Sequence, residues 1–105
     1  MDMLELRGNR LIVHLPAELD HHHTEEIRKE IDRTVEKKMI DKVEFDFSQT
    51  VFMDSAGIGM ILGRYKIMRA LGGKITVSHM SGQIYRVLSL SGIQKYIELE
   101  REEAV

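Results

Sequence analysis

Val43-Glu44-Phe45-Asp46-Phe47 and the closely following Val51-Phe52-Met53-Asp54-Ser55-Ala56-Gly57-Ile58-Gly59 set out a strand that hands over to a helix. The first five residues alternate apolar and polar, which is the period of a strand. Beyond Ser55, the residues Ile58, Ile61, Leu62, Tyr65 and Met68 recur at helical spacing. Ser55 therefore stands at or next to the first residue of a helix. A serine there can cap backbone N–H groups that lack an intrahelical partner. A phosphate on the same hydroxyl would be held by those N–H groups and by the positive end of the helix dipole. The hydroxyl has two candidate roles, a structural cap or a switch that can be charged and discharged.

Upstream, Met3 to Arg7 reads as a strand, Gly8-Asn9 as a turn and Arg10 to Leu15 as a second strand, together a hairpin. The second strand is an almost unbroken apolar run, so both of its faces are expected to be covered. Pro16 ends it, because proline has no N–H for a ladder, and Pro16 to Asp20 form a loop. A helix is expected from Thr24 to Lys38, with Glu25 and Glu26 early, Lys37 and Lys38 late, and a buried stripe of Ile27, Ile31 and Val35. Asp20 is a candidate cap for it. Downstream of the Lys42–Phe47 strand and the serine junction, the second helix runs to about Leu71 and stops at Gly72-Gly73. Lys74 to Ser78 is a strand. Ser81 to Leu90 is a helix with Ile84, Val87 and Leu88 inward and Gly92 as its stop. Tyr96 to Leu99 is a short last strand, and Glu100 to Val105 form a charged, frayed acidic tail.

Strands alternating with helices imply an α/β domain spanning residues 1–105. Its sheet is mixed but mostly parallel, of four to five strands with an N-terminal hairpin, covered by three or more helices. In such sheets binding surfaces gather at the carboxyl ends of strands. The loop Pro16 to His23 leaves one strand end and Asp54-Ser55 another, which places both on one rim.

The bulk properties narrow the function. The 105 residues are 43% hydrophobic and 30% charged, the make-up of one soluble domain. A net charge of -2 gives no field to draw in nucleic acid or an anionic membrane. No cysteine is present, so there are neither disulfides nor thiolate metal sites, as suits a reducing cytoplasm. The alternating Met3-Leu4-Glu5-Leu6-Arg7 reads as neither a signal peptide nor a membrane span.

Three glycines, Gly57, Gly59 and Gly63, crowd the first turns of the serine helix, each at a cost of about 1 kcal/mol against alanine. Either the helix packs closely on its neighbours, or something large approaches its backbone. The junction lacks the lysine and glycine spacing of a phosphate-binding P-loop. It is not a nucleophile elbow either: Met53 stands where that motif has its first glycine, and neither His14 nor His79 is placed beside Ser55. His21-His22-His23 point in different directions at a helix entrance, so no metal site is expected. Met60 lies off the Ile58-Ile61-Tyr65 stripe and is expected to be exposed near Ser55.

The run Phe52-Met53-Asp54-Ser55-Ala56-Gly57-Ile58-Gly59-Met60-Ile61-Leu62-Gly63-Arg64-Tyr65-Lys66 resembles the signature of anti-sigma factor antagonists, the STAS domains, and most of all those acting in sporulation. Glu18-Leu19-Asp20-His21-His22 resembles the family's loop, and Ser91-Gly92-Ile93 its closing segment. Pro16-Ala17 departs from the Thr-Gly that often opens that loop, and Ala56 replaces a second serine, leaving Ser55 as the only hydroxyl at the junction. The resemblance implies a cytoplasmic regulator of transcription that is not an enzyme and needs no cofactor. Its unphosphorylated form would bind an anti-sigma factor that is also a serine kinase using ATP, freeing the sigma factor. Phosphorylation of Ser55 would release the complex, and a phosphoserine phosphatase would reset it. The implied partner-binding residues are Glu18, Asp20, His21, Asp54, Ala56, Gly57, Ile58 and Met60. The alternative within the family is a sensory or scaffold module of another sigma-regulating pathway; a serine hydrolase is a remote third reading.

Overall fold

The computed structural model describes residues 3–101. In chain order the elements are β1 (Leu4–Arg7), β2 (Arg10–His14), β3 (Glu18–Leu19), α1 (His21–Lys37), β4 (Lys42–Asp46), β5 (Phe52–Met53), α2 (Ser55–Ala70), β6 (Lys74–Met80), α3 (Gly82–Ser91), a 3-10 turn (Ile93–Lys95) and β7 (Glu98–Arg101). Five strands form one sheet in the order β1-β2-β4-β6-β7. The β1–β2 pair is the antiparallel hairpin, in register from Leu4↔Val13 to Arg7↔Arg10, and the other pairs are parallel.

Register explains which residues meet the helices. Leu11, Val43 and Ile75 lie abreast, as do Val13, Phe45 and Val77. These six are buried in one cluster with Ile27 and Ile31 of α1, Ile61 and Met68 of α2, and Ile84 and Leu88 of α3. The alternate face carries polar side chains that pair sideways. His14 Nε2 lies 2.7 Å from Glu5 Oε1 and its Nδ1 3.1 Å from Asp46 Oδ2. Ser78 Oγ donates to Glu44 Oε2 at 3.0 Å. Ile12 is buried among these residues' strands on that second face, as its unbroken apolar run implies.

Element ends differ from expectation for identifiable reasons. Helix α1 begins at His21, not Thr24, because the Asp20 carboxylate accepts from His23 N–H at 3.0 Å and so caps a helix that already includes the histidines. Strand β6 continues past Ser78 through a bulge at His79, whose φ of 57° is left-handed, and this delivers Met80 into the core. Gly92, at φ 81°, ends α3 and starts the 3-10 turn that buries Ile93; the last strand therefore begins at Glu98 rather than Tyr96. Glu100 and Arg101 belong to that strand, while the rest of the expected frayed tail lies outside the described residues. No helix among the described residues is long and apolar enough to cross a membrane.

Candidate functional site

Two short strands that alternation could not reveal build the rim. β3 and β5 pair in parallel, Glu18↔Phe52 and Leu19↔Met53, apart from the main sheet. Backbone bonds extend the pairing: Val51 N–H donates to Ala17 O at 2.8 Å and Asp54 N–H to Leu19 O at 3.3 Å. Thr50 Oγ1 donates to Pro16 O at 2.9 Å. Each short strand runs straight into an aspartate and then a helix. Glu18-Leu19-Asp20-His21 and Phe52-Met53-Asp54-Ser55 are thus two copies of one local structure, lying side by side.

Asp54 joins the two copies. Its Oδ1 accepts from Ala56 N–H at 2.9 Å and caps α2, while its Oδ2 accepts from the N–H of His21, the first residue of α1, at 3.2 Å. One carboxylate thereby satisfies an orphan donor on each of two helices. Asp20 does the same for α1 alone, taking His23 N–H and lying 2.8 Å from His23 Nδ1. The backbone bond from His23, aided by its ring, outweighs desolvation and holds the Asp20 carboxyl below its ordinary range.

Because Asp54 is the cap, Ser55 is not. Ser55 is the first residue of α2 and is exposed, and its hydroxyl makes no hydrogen bond among the described residues. Of the two roles the sequence offered Ser55, the structural cap is taken by Asp54. His14, one of the two histidines considered as a partner for Ser55, is instead committed to Glu5 and Asp46. No group of three or more histidine, aspartate or glutamate side chains converges as a metal site would require among the described residues.

Of the expected contact residues, Glu18 pairs with Phe52 and His21 N–H reaches Asp54, so the β3–Asp20–His21 segment lies beside the β5–Asp54–Ser55 segment; Glu18, Asp20, His21 and Asp54 are exposed or half-buried, and half-buried Ala56 and Ile58 follow on α2. Gly57 is buried. A Cβ there would stand 2.7 Å from Met53 Cγ and 3.0 Å from Leu19 Cδ2, so this glycine lets the helix settle onto the β3–β5 pair. Gly59 and Gly63 have no such neighbour. Met60 contradicts its expected exposure: only 5% of it is accessible. Helix α2 packs against α1 as well as against β6, so its buried arc is wider than one stripe and takes in Met60. The sequence reading also passed over Val51 and Phe52, apolar yet 67% and 51% exposed beside Glu18. Alternation was the available signal, since a buried Met53 turns Phe52 outward.

A mixed five-stranded sheet and a separate two-stranded pair leading into two aspartate-capped helices, one of which starts with a free hydroxyl, define a small α/β domain. The STAS domain model matches residues 2–104, and the chain belongs to the STAS domain family. It is 34% identical over 102 residues to the anti-sigma F factor antagonist of Paenibacillus polymyxa, covering 95% of this chain and 87% of that protein. The solved structure of the anti-sigma factor antagonist SpoIIAA in its unphosphorylated form superimposes with a TM-score of 0.83 at 29% identity, over 94% of this chain and 87% of that one. The Bacillus cell fate determinant SpoIIAA in the phosphorylated form gives a TM-score of 0.75 at 29% identity, over 94% and 90%.

Proposed function

We propose that this chain is an anti-sigma factor antagonist switched by phosphorylation of Ser55. The observation that carries the proposal is the exposed, unbonded hydroxyl of Ser55 at the start of a helix whose cap is made by a different residue. Modifying it removes no bond from the fold. The family, the anti-sigma F factor antagonist at 34% identity and the existence of a phosphorylated SpoIIAA of the same fold support the reading.

In the unphosphorylated state the rim of Glu18, Asp20, His21, Asp54, Ala56 and Ile58 docks on an anti-sigma factor that is also an ATP-dependent serine kinase, and the sigma factor is set free. Val51 and Phe52 add an apolar anchor of the kind that dominates interfaces. Gly57 and Met60 support the rim from below. Phosphate brings about -1.5 to -2 charges to a rim that already carries Asp54, Asp20 and Glu18. The fold tolerates this charge at a helix start, but a docked partner surface matched to a neutral hydroxyl does not. A phosphoserine phosphatase restores the binding form. The protein acts as a substrate and binding switch in the cytoplasm, in sporulation control, and not as an enzyme.

The test is to incubate the chain with a candidate anti-sigma kinase and ATP and to measure its mass and its affinity for the kinase–ADP complex. One phosphate, absent in Ser55→Ala, and weakened binding of Ser55→Asp are expected. No transfer to Ser55, or equal affinity of the Ser55→Asp protein, refutes the switch and favours a sensory or scaffold role within the family.

A further inference from the structure

Helix α2 carries three basic residues, Arg64, Lys66 and Arg69, and no acidic one. The neighbouring α1 balances its cations: Lys29 pairs with Glu25, Arg33 with Glu30 and Arg28 with Asp32. Asp32 also takes Arg64, at 3.0 Å. Lys66 and Arg69 have no such partner. Both are exposed, and among the described residues neither forms an ion pair. In a chain of net charge -2, this is a local excess of positive charge.

The two cations line a cleft of about 720 Å³. Its α2 wall is Leu62, Tyr65, Lys66, Arg69 and Ala70, which recur three and four apart and so share one face of the helix. The opposite wall is Tyr96, which precedes β7 and is 59% exposed although aromatic. The Tyr65 and Tyr96 rings have centroids 5.8 Å apart and are tilted by 46°. Arg69 Nη1 donates to Tyr65 Oη at 3.3 Å. The paired rings make an apolar floor with cations beside it. A second depression, of about 370 Å³, shares Tyr65, Arg69 and Tyr96 with the first and runs on to Lys74 and Glu98. The two form one trough. Lys74 is a third cation without an ion pair, and Glu98 is the one acid in the lining, among the described residues.

We propose that this trough docks an acidic peptide segment of a partner protein. A leucine or aromatic side chain of the segment sits on Tyr65 and Tyr96, and its carboxylates lie toward Lys66 and Arg69. Shape and charge select this occupant. From Leu62 to Ala70 the helix wall is about 12 Å long, the span of about four residues of extended chain. A second copy meeting across a two-fold axis would set Lys66 and Arg69 against their own counterparts. Three cations beside one acid give too small a field for a nucleic-acid backbone. About 15 Å of helix separates Tyr65 from Ser55, so the trough is a separate surface from the serine rim and does not depend on phosphorylation.

The experiment titrates the whole chain, followed through its backbone amides by NMR, with the synthetic hexapeptide acetyl-Asp-Glu-Leu-Phe-Glu-Asp-amide. A twin peptide with Asn and Gln in place of the acids, and phenyl phosphate, are run beside it. Saturable shifts from Leu62 to Lys74 and from Tyr96 to Glu98 are expected, with the amides of Asp20, His21 and Ser55 unmoved. Binding should weaken as sodium chloride is added. Joint Lys66→Gln and Arg69→Gln substitution should weaken it about fivefold, the effect of two exposed charge pairs. Tyr96→Ala should weaken it about tenfold, as loss of an aromatic anchor does. Should Tyr96→Ala disturb the fold, Lys66→Glu, a charge reversal on an exposed side chain, should still weaken binding. Absence of saturation, equal binding of the uncharged twin, shifts centred on the serine rim, or unchanged affinity in the Lys66 and Arg69 variants would overturn the proposal. So would saturation by phenyl phosphate alone, which would assign the trough to a small aromatic anion. Shifts at the same residues on raising the protein concentration alone would assign it to a second copy and overturn it too.

Discussion

Gly57→Ala and Gly59→Ala add the same methyl group two residues apart in α2 and should shift stability in opposite directions. Each gains about 1 kcal/mol of intrinsic helix preference. At Gly59 nothing lies within 4 Å of the new carbon, so most of that gain survives. At Gly57 the new carbon meets Met53 Cγ at 2.7 Å, with Leu19 Cδ2 and Met53 Sδ both at 3.0 Å. Met53 Cγ is near the backbone end of its side chain and Leu19 is fully buried, so neither can swing clear. Overpacking of this kind costs about 1–3 kcal/mol, which exceeds the helical gain and leaves a net loss of about 1 kcal/mol. The two variants should then differ by about 2 kcal/mol. In urea unfolding, with a slope of about 2 kcal/mol per molar for a domain of this size, their midpoints should stand about 1 M apart on either side of the parent. If both substitutions raise the midpoint with an unchanged slope, close packing is not what keeps Gly57 a glycine.

Asp54→Ala removes acceptors from two helix starts and should cost about 1–2 kcal/mol in chemical unfolding, whereas Ser55→Ala next to it should change stability by less than about 0.5 kcal/mol; equal costs would return the capping role to the serine. Stability should also fall in acid, with the window set by depressed carboxyls. Hydrogen bonds from His14 and Arg7 lower Glu5, the His23 backbone bond lowers Asp20, and at Asp46 burial is the largest single effect and raises the carboxyl, but the Ser48 bonds with the nearby His79 and His14 together lower it. Each group titrates lower in the folded chain, so its contribution is complete above the ordinary values of 4.5 and 3.8 and is lost as pH falls through the lowered ones. Unfolding curves from pH 7 down to about 2.5 should show this loss, and Asp20→Asn, which keeps a capping oxygen but cannot titrate, should flatten it in part; a profile that rises in acid would reverse the sign of the reasoning.

The main sheet was legible because β2, β4 and β6 are long enough to show a pattern and are separated by helices with clear stops. Gly8-Asn9 marked the hairpin, and Gly72 and Gly92, both at positive φ, marked the ends of α2 and α3. The β3–β5 pair was not legible, since two residues carry no period. It is specified by contacts between loops far apart in sequence, such as Thr50 with Pro16. Met60 was misjudged because α2 is covered on two sides, and a single-stripe reading suits a helix covered on one. At the serine junction two good capping residues stand next to each other, so propensity could not decide between Asp54 and Ser55. The bulge at His79 had no local signal, because a left-handed histidine is tolerated only when its surroundings impose it. Arg64 is 8% exposed and lies 3.0 Å from Asp32 Oδ1, a burial the sequence does not announce because an arginine in a helix is ordinarily solvated.

The twin arrangement around Asp54 bears on how such domains can be recombined. Segments 16–23 and 50–57 are remote along the chain but share a strand pair and a carboxylate. Grafting either one alone from a relative would leave His21 N–H or the Leu19 carbonyl facing a foreign neighbour. Transplanted together they form a self-sufficient cassette, so chimeras that exchange specificity should be cut at four points rather than two.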